Sequence, residues 1–170
     1  MHISALQKEL KGLEYLTVRF QIPVRHNPWD ISPRERDAMR YTIDGNTFDT
    51  LAGFLDTLDV TLRPVTPWSR DLYGLNNLLR MDNQAPSEGM TLVWSNSTKS
   101  RADLGYEETL RVLQARLKDC DGINERFLKN DIVNARDNAG PTVFDWVIEV
   151  IERHGPGGDE GWDNVRLVLE

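Results

Sequence analysis

The sequence is short of cysteine, of long apolar runs and of positive charge, and each shortage excludes a class of protein. Cys120 is the only cysteine in 170 residues, so no internal disulfide forms, and no zinc-ligand spacing surrounds it. No apolar run approaches the roughly 20 residues of a membrane span, and the N-terminus lacks the pattern of a signal peptide. We therefore expect a cytoplasmic protein with no membrane contact and no bound metal or cofactor.

Acidic side chains outnumber basic ones, and the excess is uneven along the chain. The sequence has 27 Asp and Glu against 20 Lys and Arg, a formal net charge of -7. Residues 1–38 contain six basic and five acidic side chains, which leaves -8 for residues 39–170. An acidic surface repels phosphate backbones and attracts basic surfaces. The charge therefore predicts a basic protein partner and argues against direct binding of nucleic acid.

The first 38 residues predict an extension to the main domain. Apolar residues recur at helical spacing across residues 3–13, which is typical of a short amphipathic helix. Across residues 16–24, apolar and polar side chains alternate as in a half-buried strand, and Pro23 favours an edge position. A charged connector with two prolines follows. We therefore expect an N-terminal helix and strand, and then a separate domain over residues 39–170.

From residue 39 onward, short apolar segments alternate with segments of helical periodicity. The pattern predicts helices at 48–58, 69–79, 106–118, 122–135 and 141–154, and strands at 41–43, 91–94 and 165–169. Ser69 is the expected N-cap of the second helix, and Pro141 is expected in the first turn of the last one. Because strands separated by helices need crossovers, we expect an α/β fold with a small three-stranded parallel sheet flanked by helices.

A resemblance to a known family rests on the order of segments around a Pro-Trp-x-x-Asp-Leu motif. A strand ending in Tyr41-Thr42-Ile43-Asp44-Gly45, a helix and then Pro67-Trp68-Ser69-Arg70-Asp71-Leu72 resemble the barstar family of ribonuclease inhibitors. The resemblance covers most of residues 39–170, and the long stretch 95–140 predicts an added helix. It implies a cytoplasmic partner whose active site is plugged by the second helix and by neighbouring segments.

The resemblance also implies which residues bind the partner. The two inhibitory aspartates of the family fall at Tyr73 and Asn77 here, and its tryptophan falls at Asn76. All three side chains lie opposite the leucine stripe of the second helix, so we expect them to face solvent. These replacements remove the phosphate-mimicking charge from the helix centre, while tyrosine remains a good interface anchor. Acidic side chains of the last helix would steer a basic partner. The candidate partner-binding residues are Trp68, Arg70, Asp71, Tyr73, Asn76, Asn77, Asp145, Glu149 and Glu152.

Structural roles are the alternative for several of these residues. A tryptophan next to a proline at the start of a helix commonly packs against its own domain, so Trp68 has a second interpretation. The carboxylates at 145, 149 and 152 lie at helical spacing, which is also typical of a solvated helix face. Asp159 and Glu160, in the glycine-rich turn before the last strand, are open to the same two interpretations.

Three functional hypotheses follow from the sequence. The first is an inhibitor or immunity-type protein that occludes a basic ribonuclease, and the second is a binding module on the same fold without nuclease inhibition. The third is a hydrolase, but His2, His26 and His154 are widely separated and Cys120 lies beside a predicted helix end. The glycines at 155–158 precede a strand and do not open a helix, unlike a phosphate-binding loop. We therefore expect a protein-binding inhibitor that is not an enzyme.

Overall fold

A three-stranded parallel sheet organises the part of the chain that the computed structural model describes, namely residues 40–80, 89–120 and 124–170. The strands are β1 (Arg40–Asp44), β2 (Met90–Ser95) and β3 (Val165–Leu169). They pair in the order β1-β2-β3, and both pairings are parallel. The predicted α/β class and parallel sheet are confirmed. The helix and strand predicted within residues 1–38 lie outside the described residues.

Six α-helices accompany the sheet in the described residues, and each is too short or too polar to cross a membrane. Between β1 and β2 lie α1 (Leu51–Leu62) and α2 (Leu72–Arg80). Between β2 and β3 lie α3 (Ser97–Asp103), α4 (Tyr106–Lys118), α5 (Glu125–Arg136) and α6 (Val143–Arg153). Short 3₁₀ helices occupy Gly45–Thr47 and Gly161–Asp163.

The sequence pattern does not predict α3, because its seven residues carry no apolar stripe. Tertiary contacts hold it in place. The ammonium of Lys99 donates to the backbone carbonyls of Gly45 (3.1 Å) and Phe48 (3.0 Å), and the Ser100 hydroxyl accepts the indole N–H of Trp94 (3.0 Å). Polar side chains therefore attach α3 to the turn after β1 and to the core.

The start of α2 differs from the prediction because Asp71, and not Ser69, is the capping residue. The Asp71 carboxylate accepts the backbone N–H of Gly74 at 2.6 Å, and the helix begins at Leu72. Ser69 instead donates its hydroxyl to the same carboxylate at 3.2 Å. A carboxylate at the N-terminus of a helix satisfies an unpaired N–H and interacts favourably with the helix dipole.

The start of α6 also differs from the prediction, because Thr142 and Asp145 form a capping box around it. The Thr142 hydroxyl accepts from the backbone N–H of Asp145, and the Asp145 carboxylate accepts from the backbone N–H of Thr142. The helix therefore begins at Val143, and Pro141 precedes it instead of lying in its first turn. Two reciprocal hydrogen bonds fix this boundary more firmly than the proline does.

The hydrophobic core lies against one face of the sheet. Because side chains alternate along a strand, Ile43, Leu92 and Trp94 share this face and are fully buried. The opposite face carries exposed side chains, among them Thr42 and Arg166. The helices and the turn after β1 complete the core with Phe48, Leu51, Phe54, Leu55, Leu58, Leu75, Leu79, Phe144, Val147 and Ile151.

Candidate partner-binding surface

One side of α2 faces the core and the other faces solvent. Leu75 and Leu79 are fully buried, whereas Tyr73 is 74% exposed and Asn77 is exposed as well. The chain just before the helix passes very close to it, because a Cβ at Gly74 would lie 1.7 Å from the carbonyl oxygen of Ser69. Glycine at this position therefore permits the close approach of the chain. The predicted solvent exposure of Tyr73 and Asn77 is confirmed.

Asn76 does not share this exposed position. It is half-buried, and its Oδ1 lies 3.2 Å from Nε2 of His154, a side chain with no exposed surface at the C-terminal end of α6. The expectation that Asn76 faces solvent beside Tyr73 is therefore wrong. A buried ring nitrogen needs a partner, and the amide at position 76 supplies it.

Five side chains, which we call the His154 cluster, connect α2 with the loop before β3. They are His154, Asp163, Asn76, Glu160 and Arg80. Nδ1 of His154 lies 2.6 Å from Oδ2 of Asp163, and the Arg80 guanidinium donates two hydrogen bonds to the Glu160 carboxylate (2.5 and 2.8 Å).

The orientation of Asn76 has a consequence for the imidazole. Oδ1 of Asn76 faces Nε2 of His154 at 3.2 Å. Nδ1 faces the carboxylate of Asp163, so both ring nitrogens point at acceptors. Neither nitrogen of this buried ring is therefore left without a polar partner.

The pKa of Glu160 is lowered mainly by hydrogen bonds from Arg80, against an opposing effect of burial. A carboxyl group whose pKa is lower in the folded state stabilises the fold above its unfolded pKa, near 4.5, and that contribution is lost as the pH falls through the folded pKa. We expect Glu160→Gln to reduce the loss of stability on acidification. The measurement is urea unfolding at pH values from about 7 to about 3.

Arg80→Gln is the matched variant for this test, because it removes the other partner of the pair. It should reduce the acid dependence to a similar extent, and the double variant should add little. An acid dependence unchanged in both single variants would show that the pair does not couple stability to pH.

The His154 cluster fixes the position of a second exposed aromatic residue. The loop 155–164 carries Trp162, which is 74% exposed and lies next to Asp163 in the chain. Backbone hydrogen bonds from Glu160 to Arg153 (2.9 Å) and from Asp163 to Glu160 (3.1 Å) order the same loop. An exposed indole on a loop held this firmly is typical of a binding residue, since little entropy is lost on binding.

Sequence reasoning missed both Trp162 and the His154 cluster. Trp162 stands between Gly161 and Asp163 with no apolar residue within two positions on either side, and this isolation was the available signal. The cluster joins two segments that are distant in sequence, since Asn76 and His154 are 78 positions apart, so no local pattern links them. We call the exposed face of α2 together with the loop 155–164 the α2–loop surface.

Trp68 and Arg70, predicted to contact a partner, are attached to α1. The indole of Trp68 is half-buried against the core, and its N–H donates to Asp59 at 2.8 Å. The Arg70 guanidinium pairs with Asp56 (2.5 Å) and with Asp59 (2.8 Å). The packing interpretation of Trp68 agrees with this geometry, and Arg70 has two carboxylates of its own chain to neutralise it.

The acidic residues predicted on the last helix meet in a groove of about 420 Å³. Its polar lining consists of Asp145, Glu149, Glu152, Asp159, Arg101 and Arg153. Asp145 lies 3.6 Å from Arg101, and Glu149 lies 3.4 Å from Arg153, so part of the negative charge is neutralised. Asp159 belongs to the loop 155–164, which therefore borders this groove and also contributes to the α2–loop surface.

Three members of the His154 cluster carry the atom types of a metal site. His154, Glu160 and Asp163 each offer one ligand atom, and these atoms lie within 4.8 Å of one another. However, Asp163 is paired with the imidazole, and the guanidinium of Arg80 holds both oxygens of Glu160. A permanent positive charge at this position opposes a metal cation, so the arrangement fits a hydrogen-bonded structural cluster.

Comparisons with known proteins do not identify a relative. No family model matches the chain, and neither a curated protein nor a solved structure matches it. The function of the chain is therefore inferred from the geometry of the described residues and from the sequence pattern.

Proposed function

We propose that this chain is a protein-binding inhibitor that resembles the barstar-type ribonuclease inhibitors and occludes a basic partner protein in the cytoplasm. One observation carries the proposal, namely that Tyr73 and Trp162 are both three-quarters exposed on segments joined by the His154 cluster. Large aromatic residues on a rigid surface are the commonest anchors of protein interfaces. The role is binding and not catalysis, and His154 is enclosed with both ring nitrogens paired.

Charge supports a basic partner. The formal net charge of the chain is -7, and residues 39–170 alone carry -8. Exposed carboxylates at Glu152 and Asp159 border the loop that carries Trp162. Long-range attraction of this kind accelerates association at low salt and is screened at physiological ionic strength.

A second candidate function is a binding module on the same type of fold that does not inhibit a nuclease. The observation that favours it is the chemistry of α2, where the exposed positions are the uncharged Tyr73 and Asn77. The nearby Asp71 is engaged as a helix cap. A helix without exposed carboxylates lacks the phosphate mimicry that would hold a ribonuclease active site. Under this candidate we expect no potent inhibition of barnase-type ribonucleases.

Tyr73→Ala should weaken binding to the partner by at least about tenfold, because truncating a central aromatic anchor commonly has this effect. The partner is identified first, by co-purification of a stoichiometric protein from the native cell. Calorimetric titration of that protein then compares the wild type with Tyr73→Ala, Asn77→Ala and Trp162→Ala. Activity of the purified partner on RNA, with and without the chain, distinguishes the two candidate functions.

Phe127→Ala is the control for these titrations, since Phe127 is 66% exposed on α5 and outside the α2–loop surface. It should leave the affinity unchanged. Equal affinities for the wild type and all the α2–loop variants would place the interface elsewhere. Potent inhibition of a barnase-type enzyme would show that carboxylates on α2 are not required.

A further inference from the structure

The outer edge of β3 exposes backbone groups, and two hydrogen bonds fix which ones. The N–H of Met90 donates to the carbonyl of Asn164 (3.3 Å), and the N–H of Glu170 donates to the carbonyl of Trp94 (2.8 Å). The N–H and C=O of one strand residue point to the same side, and the side alternates along the strand. The even-numbered residues of β3 therefore face β2, and the odd-numbered residues face outward.

The outward groups differ along the strand. The N–H of Val165 donates to the carbonyl of His154 at 3.0 Å, so this end of the edge is covered. The backbone groups of Leu167 and Leu169 have no partner across residues 40–80, 89–120 and 124–170. Unpaired edge groups of this kind are a template for another strand.

The side chains of β3 have a pattern that is symmetric about Val168. Val168 is 37% exposed and Leu169 is 43% exposed, so two adjacent apolar side chains of the strand reach solvent. Arg166 and Glu170 are exposed on the same face as Val168, two residues before it and two residues after it. The strand therefore carries opposite charges at equal distances from one apolar centre.

We propose that β3 pairs antiparallel with β3 of a second copy of this chain, about a two-fold axis at Val168, so that one sheet continues across both copies. In this register Leu167 faces Leu169 of the second copy, and the two exchange both of their backbone hydrogen bonds. The two Val168 side chains meet at the axis. Arg166 faces Glu170 of the second copy, and the symmetry makes this contact twice.

Charge selects this register over its competitors. Parallel pairing of the same two strands would place Arg166 beside the Arg166 of the second copy, which is unfavourable. A shift of two residues would place the guanidinium of Arg166 opposite Val168 of the second copy and would remove the opposite-charge pair, while a shift of one residue would set the side chains of the two strands on mismatched faces. Charged residues commonly protect an edge strand from pairing. Here their symmetric arrangement disfavours parallel pairing and shifted registers, but it favours the antiparallel register centred on Val168.

Glu170 is available for this contact. Its Oε1 lies 3.3 Å from Arg40, but both side chains are more than half exposed, so the pair is weak. Pairing along one short strand buries less than the roughly 1,200 Å² of a typical stable interface. The dimer is therefore weak and forms only at high protein concentration.

Sedimentation velocity over a concentration series of the full chain tests this proposal. We expect a reversible monomer–dimer equilibrium that Arg166→Glu and Glu170→Arg each weaken by about tenfold, since each reversal places two like-charged pairs in contact. The double variant, Arg166→Glu with Glu170→Arg, should restore the dissociation constant to within about threefold. Val168→Lys should abolish the dimer, because two ammonium groups would meet at the axis.

Thr42→Lys is the control, because it adds a charge to the same face of the sheet on β1. It should leave the dimer intact, and circular dichroism verifies that every variant is folded. A wild-type chain that stays monomeric overturns the proposal, as does a dimer that ignores both charge reversals or is not restored by the double variant. A monomer whose β3 instead binds the partner protein would show that the edge has another occupant, and would also overturn it.

Discussion

Trp94→Ala is expected to lower the free energy of unfolding by about 3–5 kcal/mol, the range for truncating a fully buried tryptophan. The Trp94 indole has no exposed surface and is the centre of an aromatic group. Its ring centroid lies 4.8 Å from that of Phe54, 5.1 Å from that of Phe144 and 6.0 Å from that of Phe48. Urea unfolding monitored by far-ultraviolet circular dichroism measures the loss.

Part of this effect comes from a polar contact. The indole N–H of Trp94 donates to the hydroxyl of Ser100, which is itself fully buried on α3. Truncation leaves a cavity and also removes this hydrogen bond, so the contact between β2 and α3 is weakened. The aromatic group therefore stabilises a helix that the sequence pattern alone does not predict.

Trp162→Ala is the matched control, since it makes the same substitution at an exposed tryptophan. Its effect on stability should stay within about 0.5 kcal/mol, as for most surface substitutions. A similar loss in both variants would mean that Trp162 is packed in solution. A loss below about 1 kcal/mol for Trp94→Ala would mean that the core around β2 collapses to fill the space.

His154→Leu is expected to destabilise the fold by about 3–5 kcal/mol, because removing one member of a buried polar pair leaves the other without its partner. The Asp163 side chain is only 6% exposed, and it would face an apolar group in this variant. Asn76 would lose its partner at the same time. Equilibrium unfolding at neutral pH measures this loss.

The double variant His154→Leu with Asp163→Leu separates the cost of an unpaired charge from the cost of altered packing. Replacing both members of a buried pair by apolar residues is often close to neutral, so the double variant should recover much of the lost stability. A double variant that is less stable than His154→Leu would show that Asp163 has a further stabilising partner. If His154→Leu costs less than about 1 kcal/mol, the carboxylate is reaching solvent.

Trp94 and His154 contribute to different parts of the proposed function. Trp94 stabilises the core against which α2 packs, whereas His154 fixes the position of the loop that carries Trp162 relative to α2. Trp94→Ala should therefore reduce the fraction of folded chain without changing the affinity of the folded molecules. His154→Leu should also weaken partner binding, because the aromatic residues lose their fixed arrangement.

The alternation of short apolar runs with helical periodicity was sufficient to predict the class of fold. The strands at 41–43, 91–94 and 165–169 extend by at most one residue at either end in the structure, and α4 has the predicted bounds. This succeeded because burial on the sheet and on one side of a helix imposes local periods of about 2 and about 3.6 residues. The exposure of Tyr73 followed from the same period in α2.

Helix boundaries and α3 did not follow from periodicity, because side-chain hydrogen bonds decide them. Asp71 and the Thr142–Asp145 box determine where two helices begin, and Lys99 attaches α3 to carbonyls about 50 positions earlier in the chain. These contacts depend on which oxygen atom lies near which donor in the folded state. A linear pattern does not contain that information.

The sequence by itself determined the acidic charge, the three parallel strands and the amphipathic helices, since each depends on composition or on local spacing. Only the tertiary structure decided that Asn76 turns inward to His154, that Arg80 pairs with Glu160 and that Trp162 is carried on a loop fixed by this cluster. Buried polar groups take whichever partner the packed chain brings within reach, and that partner is usually distant in sequence. The candidate surface therefore depends on long-range hydrogen bonds, while the fold class depends on local patterns.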